Sequence, residues 1–222
     1  MQIIDMPLFP LNTVLFPHMA LPVRIFEERY KLMIKRVLEG DGVFGVALIK
    51  SGKEVGEPAE PFTVGTTARI LKVEPLEQGN VSLSCVGVRP FRIMEVIQWR
   101  PYLVGRTTYL EHTVGDADVA LVLAEKVRGK FRRYLDVLAQ TLRREPLRVD
   151  LNVDPQALSY AVGAALQMDN AQKQRLLEVT TAEDRLRLEV EMLREETKVL
   201  RIFQVMEERD LGGRHPKRGP DA

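Results

Sequence analysis

The composition of the chain changes at about residue 110, and this change constrains the fold more than any single motif does. Before that point prolines, glycines and β-branched residues dominate. Beyond it proline becomes rare, and leucine, alanine, glutamate, arginine and glutamine take over. The first set is typical of strands and turns, whereas the second is typical of helices. The sequence therefore predicts an α+β protein with a β-rich first half and a helical second half.

The chain opens with an apolar segment, residues 6–30, which four prolines interrupt. A secretory signal has a basic start followed by an unbroken apolar run, but here Asp5 precedes the segment and the prolines divide it. A membrane-spanning helix needs about 20 apolar residues in succession, and the sequence contains no such run. The segment is therefore predicted to belong to the folded protein.

Six or seven runs in the first half have the length and composition of β-strands. The short links between them favour a closed or partly closed small barrel. The second run contains Pro22, which cannot donate to a β-ladder, so this strand is predicted at a sheet edge or a bulge. Residues 81–88 and 91–99 are predicted as separate strands, and the helical spacing of residues 26–38 predicts one helix within the barrel.

The second half contains helical patterns with recognisable N-terminal caps. Asp154 stands before a proline at the first helical position, and Asp169 is predicted to cap a short helix. Thr180 and Glu183 are predicted to form the capping box of a last helix. That helix is expected to continue to about residue 208, a length of roughly 40 Å at 1.5 Å per residue.

Charge and cysteine content exclude some functional classes. Charged residues make up 28% of the chain, but the net charge is only +1. The chain therefore lacks the basic field typical of nucleic-acid-binding proteins. Cys85 is the only cysteine, which rules out an intrachain disulfide and fits a reducing compartment. We predict a soluble, cytoplasmic protein that binds no membrane and for which nucleic acid is a disfavoured partner.

Several segments together resemble the N-terminal domain of Lon proteases. The run LFPLNTVLFPHMALPVRIFEERY at residues 8–30 has the family's two proline-bounded apolar strands, followed by a helix headed by Ile-Phe-Glu-x-Arg-Tyr. Further similar segments follow in the same order, so that the resemblance covers about residues 1–205. They are FGVALI at 44–49, VGTTARI at 64–70, GVRPFRI at 87–93, PYLVGRT at 101–107 and, in the helical half, DPQALSYAVGAALQMDNAQKQRLLE at 154–178.

The resemblance implies a PUA-like β-barrel followed by an α-helical bundle with a long C-terminal helix. We expect residues 1–112 to form the barrel with its one helix, residues 117–208 the bundle and residues 211–222 a disordered tail. In Lon this region contacts substrate polypeptides and supports hexamer assembly. The expected partners are therefore unfolded or partly folded polypeptides, and a separate ATP-dependent protease or chaperone is a further candidate. The sequence leaves the oligomeric state open.

The ATPase and protease modules of Lon have no counterpart in this sequence. A phosphate-binding loop has the pattern Gly-x-x-x-x-Gly-Lys-Ser/Thr, and the nearest approach to it is ALIKSGKE at residues 47–54. Ala47 replaces the first glycine there, and Glu54 replaces the hydroxyl residue that would bind Mg²⁺. We therefore expect a non-enzymatic, stand-alone protein of the Lon N-terminal type that uses no cofactor.

Cys85 and His112 are the residues that a cysteine-dependent hydrolase would use as nucleophile and base. The sequence places no orienting Asp or Asn beside them, and a free cysteine on a strand is more often a small buried residue. The three histidines, His18, His112 and His215, are far apart and lack the spacing of metal ligands. The hydrolase is therefore the weakest of three hypotheses, and no metal site is expected.

Five apolar residues lie in predicted loops or at predicted strand ends, namely Phe16, Pro17, Met19, Trp99 and Tyr102. Core packing would explain them, and so would an exposed groove that grips unfolded polypeptide. Methionine and aromatic side chains suit such a groove because they repack around varied partners. Our hypothesis places residues 16–19 in a rigid loop at the rim of this groove, which Trp99 and Tyr102 complete.

Polypeptide binding, as a receptor or an adaptor, is the preferred function, and RNA binding through the PUA-like barrel is the alternative. The two hypotheses differ in their dependence on salt. Phosphate contacts weaken steeply as the salt concentration rises, whereas binding in an apolar groove is nearly indifferent to it.

Overall fold

The computed structural model describes residues 2–145 and 148–212, with side chains as far as residue 206. Within these residues a β-rich half precedes a helical half, which confirms the predicted α+β class. The strands are β1 (Ile3–Leu11), β2 (Ala20–Ile25), β3 (Val43–Ser51), β4 (Glu60–Pro75), β5 (Val81–Gln98) and β6 (Leu103–Tyr109). The helices are α1 (Glu28–Leu38), α2 (Ala117–Thr141), α3 (Pro155–Ala165), α4 (Asn170–Glu178) and α5 (Ala182–Gly212).

The strands form a mixed sheet in the order β2-β5-β4-β3-β1-β6, and β6 also pairs with β5. This last pairing closes β5, β4, β3, β1 and β6 into a barrel. Closure depends on the length of β5, whose first half pairs with β2 and whose second half pairs with β6. Among the described residues β2 has β5 as its one strand partner, so Pro22 lies on an edge strand as predicted.

β5 is one strand where the sequence predicts two. The chain stays in the sheet on both sides of Pro90 because a register shift against β4 absorbs the irregularity: Thr66 lies opposite Pro90, and Ala68 opposite Gly87. Thr67 Oγ1 accepts a hydrogen bond from Arg89 N and donates one to Arg89 O, both at 3.1 Å. This side chain therefore holds the backbone at the bulge.

Helices α2 and α5 run parallel and in register. Near their N-termini Asp116 N donates to Glu183 Oε2 at 3.0 Å, and further along Gln204 Nε2 donates to Val137 O at 3.2 Å. Both contacts join residues that are 67 apart in sequence, which is why the helices must point the same way. α3 packs against this pair, and their shared apolar core includes Leu123, Val127, Phe131, Tyr134, Leu158, Val162, Leu186 and Leu193.

The predicted helix caps are confirmed at two positions and displaced at a third. Asp154 accepts from the backbone N–H groups at the start of α3, and Asp169 does so at the start of α4. At α5 the cap is one residue later than predicted, because Thr181 Oγ1 accepts from Asp184 N at 3.1 Å and donates to Asp184 Oδ2 at 2.7 Å. Glu183 therefore does not take part in the cap of α5, and its Oε2 accepts a hydrogen bond from Asp116 N instead.

The end of α5 lies beyond the predicted position. The helix continues to Gly212 rather than stopping near residue 208, so the first two residues of the predicted tail, Leu211 and Gly212, are helical. The rest of that predicted tail, residues 213–222, lies outside the described residues.

The barrel and the helices share an apolar cluster. Val14, Phe16, Leu48 and Val64 come from the barrel, and Tyr160, Leu176 and Leu177 come from α3 and α4. A buried hydrogen bond crosses the same contact, from Gln174 Nε2 to Val64 O at 3.0 Å. The segment between β6 and α2 therefore connects two parts that are packed together.

Candidate functional site

An open groove of about 250 Å³ lies along β2 where this strand leads into α1. We call it the barrel groove. Phe9 and Tyr30 are among its lining residues, and both side chains are nearly fully buried, so they form its floor. Phe26 and Val55 line it as well and are exposed, so they form its rim. The groove thus has an apolar floor, and two exposed apolar side chains stand at its rim beside charged ones.

The floor is aromatic and carries no charge at neutral pH. The rings of Phe9 and Tyr30 are tilted against each other with centroids 4.3 Å apart. Burial raises the pKa of Tyr30 to about 12, although the neighbouring Arg29 guanidinium lowers it, so the phenol stays protonated. Arg29 itself lies over the Tyr30 ring, 4.4 Å from its centroid. An apolar side chain that entered the groove would therefore meet uncharged rings.

The rim loop, residues 52–59, is held in place by carboxylates. Glu27 Oε2 accepts from Gly56 N at 3.2 Å and from Arg29 Nε at 3.1 Å, while Glu54 Oε2 accepts from Asn12 N at 3.3 Å. Gly56 has φ of +96°, a backbone conformation that suits glycine and that few other residues adopt. These bonds fix the backbone of the loop and leave its apolar residue, Val55, facing outward.

Both rim residues leave about half of their apolar side-chain surface exposed beside the groove. Phe26 has 54% of its surface exposed and Val55 has 55%. Phe26 precedes Glu27, the N-cap of α1, so its position outside the helix turns it away from the α1 face that contributes Met33 and Ile34 to the core. Exposed apolar residues gathered around a concave site mark an interaction surface.

The structure corrects the predicted position of Phe16. Its side chain is fully buried between the barrel and the helices rather than exposed at a groove rim. Two glycines make room for it: a Cβ at Gly163 would lie 3.1 Å from the Phe16 ring, and a Cβ at Gly87 would lie 2.1 Å from Phe16 O. The loop is also tied to Gly87, which accepts from His18 N at 2.8 Å and donates to Met19 O at 2.9 Å.

The other four predicted site residues are not brought together either. Pro17 and Tyr102 are buried, so the expectation that they line an exposed groove is wrong. Met19 is half-buried and packs against the core. Trp99 is 46% exposed but lies beside Arg100, which forms an ion pair with Glu57 at 2.8 Å, and it does not line the barrel groove. Of these four, Trp99 alone remains available to a partner in this structure.

A sequence model of the ATP-dependent protease La (LON) substrate-binding domain matches residues 5–195. The chain belongs to this family. Within the 222 residues the match is to the substrate-binding domain and not to the ATPase or protease modules of Lon, which agrees with the resemblance seen in the sequence.

Much longer proteins, named as Lon proteases, are similar to this chain. Lon protease 2 of Myxococcus xanthus is 26% identical over 200 residues, which are 89% of this chain and 24% of the relative. Lon protease 2 of Herpetosiphon aurantiacus is 28% identical over 205 residues, with 90% and 25% covered. The chain therefore spans about a quarter of the length of these relatives.

Solved Lon N-terminal domains share the fold. The crystal structure of a Lon N-terminal domain protein from Xanthomonas campestris has a TM-score of 0.59 and 23% identity, covering 83% of this chain and 96% of that one. The N-terminal domain of Lon protease from the Mycobacterium avium complex has a TM-score of 0.61 and 20% identity, covering 86% and 98%. At these identities the likeness establishes the fold.

In this Lon-family domain Cys85 and His112 are not poised for catalysis. Cys85 is buried in the barrel core, and burial raises the pKa of its thiol to about 11, so the reactive thiolate is scarce at neutral pH. His112 Nδ1 is occupied by Arg185 Nη2 at 2.8 Å and by Tyr160 Oη at 2.7 Å. Both observations disfavour the hydrolase hypothesis.

The described part of the chain offers neither a metal-binding cluster nor a membrane-spanning helix. Residues 2–145 and 148–212 contain no group of three or more His, Cys, Asp or Glu side chains that could hold a metal ion. The helices within the same ranges include none that is both long enough and apolar enough to cross a membrane.

Arg185 is the centre of a buried polar cluster among helices α3, α4 and α5. Its guanidinium donates to Leu176 O at 3.0 Å, to Ser159 Oγ at 2.9 Å and to Val179 O, and it lies over the Tyr160 ring, 4.5 Å from the centroid. Every one of these acceptors is neutral. The cluster joins α3, α4 and α5 through one side chain.

Glu189, one turn further along α5, is fully buried, and its carboxylate has no hydrogen-bond partner among the described residues. Burial raises its pKa well above the usual value, although the Arg185 charge lowers it. A raised folded-state pKa gives stability that is present below the unfolded pKa of about 4.3 and is lost as the pH rises towards the folded value.

We therefore expect Glu189→Gln to become more stable relative to the unchanged protein as the pH increases from about 5 to about 8. The measurement is the difference between the two melting temperatures across that range. Burial lowers the pKa of His112 to about 4, which gives a stability change of opposite sign at acid pH, but it is common to both proteins and cancels in the difference. A difference that stayed constant with pH would contradict the assignment.

Proposed function

We propose that the chain is a non-catalytic receptor for unfolded or partly folded polypeptides and that it seats their apolar side chains in the barrel groove. The observation that carries the proposal is the exposure of Phe26 and Val55 at the rim of a groove with an apolar, uncharged floor. The family's description as a substrate-binding domain supports the same function. That this chain is cytoplasmic remains a prediction. That it cooperates with a separate ATP-dependent protease or chaperone also remains a prediction.

The free edge of β2 favours binding of a partner through its side chains over the addition of a partner strand to the sheet. An extended peptide that added a strand to this edge would need a donor at each outward position. Pro22 is exposed on β2 and has no N–H to offer. The edge is therefore a poor template for strand addition, and affinity has to come from apolar contacts in the groove.

The charges around the groove favour polypeptide over RNA. Glu54 lines it, and its carboxylate would repel a phosphate backbone, whereas the Glu27 carboxylate is paired with Arg29. The groove lacks the basic track that single-stranded nucleic acid follows, since Arg24 is its one basic lining residue among those described.

The double variant Phe26→Ser/Val55→Ser is expected to bind an unfolded polypeptide roughly a hundredfold more weakly, because two apolar contacts of about 1.5 kcal/mol each are lost. Reduced, carboxymethylated α-lactalbumin is a suitable probe, and fluorescence anisotropy measures the affinity. Because both side chains are exposed, the melting temperature should remain nearly unchanged.

The matched control is Leu32→Ser/Leu71→Ser, which removes two apolar residues that are exposed outside the groove. This variant should bind the probe as the unchanged protein does. Equal losses in the two variants would show non-specific hydrophobic binding. Probe binding that disappears as the salt concentration rises would show that charge rather than apolar contact holds the polypeptide, and it would contradict the proposed groove.

A further inference from the structure

A second and larger groove lies between α2 and α5, far along both helices from their N-termini. Its volume is about 630 Å³, and we call it the helix groove. Its charged lining residues are all basic, and the described residues that line it include no Asp or Glu. The basic residues are Lys130 and Arg133 on α2 and Arg194, Lys198 and Arg201 on α5.

The same groove exposes apolar side chains. Ile202 is 51% exposed and Met206 is 59% exposed, and Val205 lies between them on the groove wall. Leu193 is fully buried at its base. The floor and part of the wall are therefore apolar, while five cations surround them.

The lining positions of α5 follow one helix face. Arg194, Lys198, Arg201 and Val205 recur at intervals of three or four residues, so they form a continuous stripe of roughly 17 Å at 1.5 Å per residue. α2 runs parallel to this stripe, in register, and supplies the opposite wall. A straight groove between two parallel helices accepts a third helix, whose apolar face enters it.

We propose that the helix groove binds an acidic amphipathic helix of a partner protein. The apolar face of that helix would contact Leu193, Ile202 and Met206, and its flanking Glu or Asp residues would face the basic side chains of α2 and α5. The inference is separate from the barrel groove, because the two grooves share no lining residue.

Charge argues against two occupants that this chain could itself provide. A second copy docking by the same face would set five cations against five, which is repulsive. Residues 213–222 contain Arg214, Lys217 and Arg218 but only one acidic residue, Asp221, so their sequence is also of the wrong sign. An acidic helix of another protein is the occupant that neutralises the groove.

The test uses the full chain and a synthetic 20-residue peptide. The peptide carries leucine at helical spacing on one face and glutamate on both flanks, and the control peptide has lysine in place of every glutamate. We expect saturable binding of the acidic peptide that weakens as salt is added, and affinity for the lysine peptide at least about thirtyfold lower. Equal affinities for the two peptides would overturn the proposal.

Two variants locate the site. Arg133→Glu/Arg201→Glu and Ile202→Ser/Met206→Ser should each weaken binding of the acidic peptide about tenfold or more. Lys35→Glu/Arg36→Glu, a charge reversal on exposed residues of α1, is the matched control and should leave binding unchanged. The barrel-groove variant Phe26→Ser/Val55→Ser should also retain it, so the two proposals can fail separately.

Other occupants would be recognised in the same experiments. If a 20-nucleotide RNA or an anionic vesicle displaced the peptide and bound more tightly than it, the acidic-helix proposal would be wrong. Self-association in light scattering that Arg133→Glu/Arg201→Glu altered would assign the groove to a second copy and would overturn the proposal as well.

Discussion

Phe16→Ala should lower the free energy of unfolding by about 3–5 kcal/mol, the usual cost of truncating a buried phenylalanine. The ring is fully buried and contacts both the barrel cluster and Gly163 on α3, so its loss leaves a cavity that neither half can fill alone. Urea unfolding followed by circular dichroism measures the effect. The variant tests whether the opening loop joins the two halves.

Phe26→Ala is the control for this measurement. It removes the same ring from an exposed position, so we expect a change within about 0.5 kcal/mol. If Phe16→Ala were as mild as Phe26→Ala, Phe16 would have to be exposed in solution, and the surface role predicted from the sequence would be restored.

Arg185→Ala should cost about as much, roughly 3–5 kcal/mol, since it removes the donor of several buried hydrogen bonds at once. The carbonyls of Leu176 and Val179 and the hydroxyl of Ser159 would lose their charged donor. The cluster connects three helices, so we also expect faster hydrogen exchange in α3 and α4.

Arg187→Ala is the matched control, two residues away on the same helix. Arg187 makes an exposed ion pair with Glu183 at 2.8 Å, and pairs of this kind contribute about 0.3–0.5 kcal/mol. Similar losses for the two arginine variants would mean that the buried cluster does not stabilise the bundle.

Local signals in the sequence predicted the local structure well. Asp154 and Asp169 cap their helices because a short acceptor side chain can reach the first free N–H groups wherever the helix lies in the fold. Pro22 is on an edge strand for a similarly local reason, the missing donor. Each of these features depends on residues that are adjacent in the sequence, so the sequence alone is enough to predict it.

The candidate site depended on distant neighbours and was predicted poorly. The burial of Phe16 requires Gly87 and Gly163, which lie on other elements, and nothing near Phe16 in the sequence indicates them. Phe26 has helical spacing with Tyr30 and was therefore predicted within the helix, but the helix begins at Glu28 and leaves Phe26 at the groove. Glu27, the N-cap, makes no side-chain cap hydrogen bond and is not a residue type that usually marks a helix start, so no local signal placed Phe26 outside the helix.

Two features constrain the order in which the chain can fold. One is the closure of the barrel by β6, and the other is the burial of the loop that carries Phe16. Thr107 Oγ1 bonds to Ile4 O across 103 residues, and Asn170 Nδ2 bonds to Asn12 O across 158. During synthesis the first strands therefore leave the ribosome before β6 exists, and the barrel can close only after β6 has been made. Likewise, Phe16 can be covered only after α3 and α4 have been made. Contacts so far apart in sequence slow folding. For that interval the newly made segment is itself an unfolded polypeptide with an uncovered aromatic ring, the kind of client that chaperones hold.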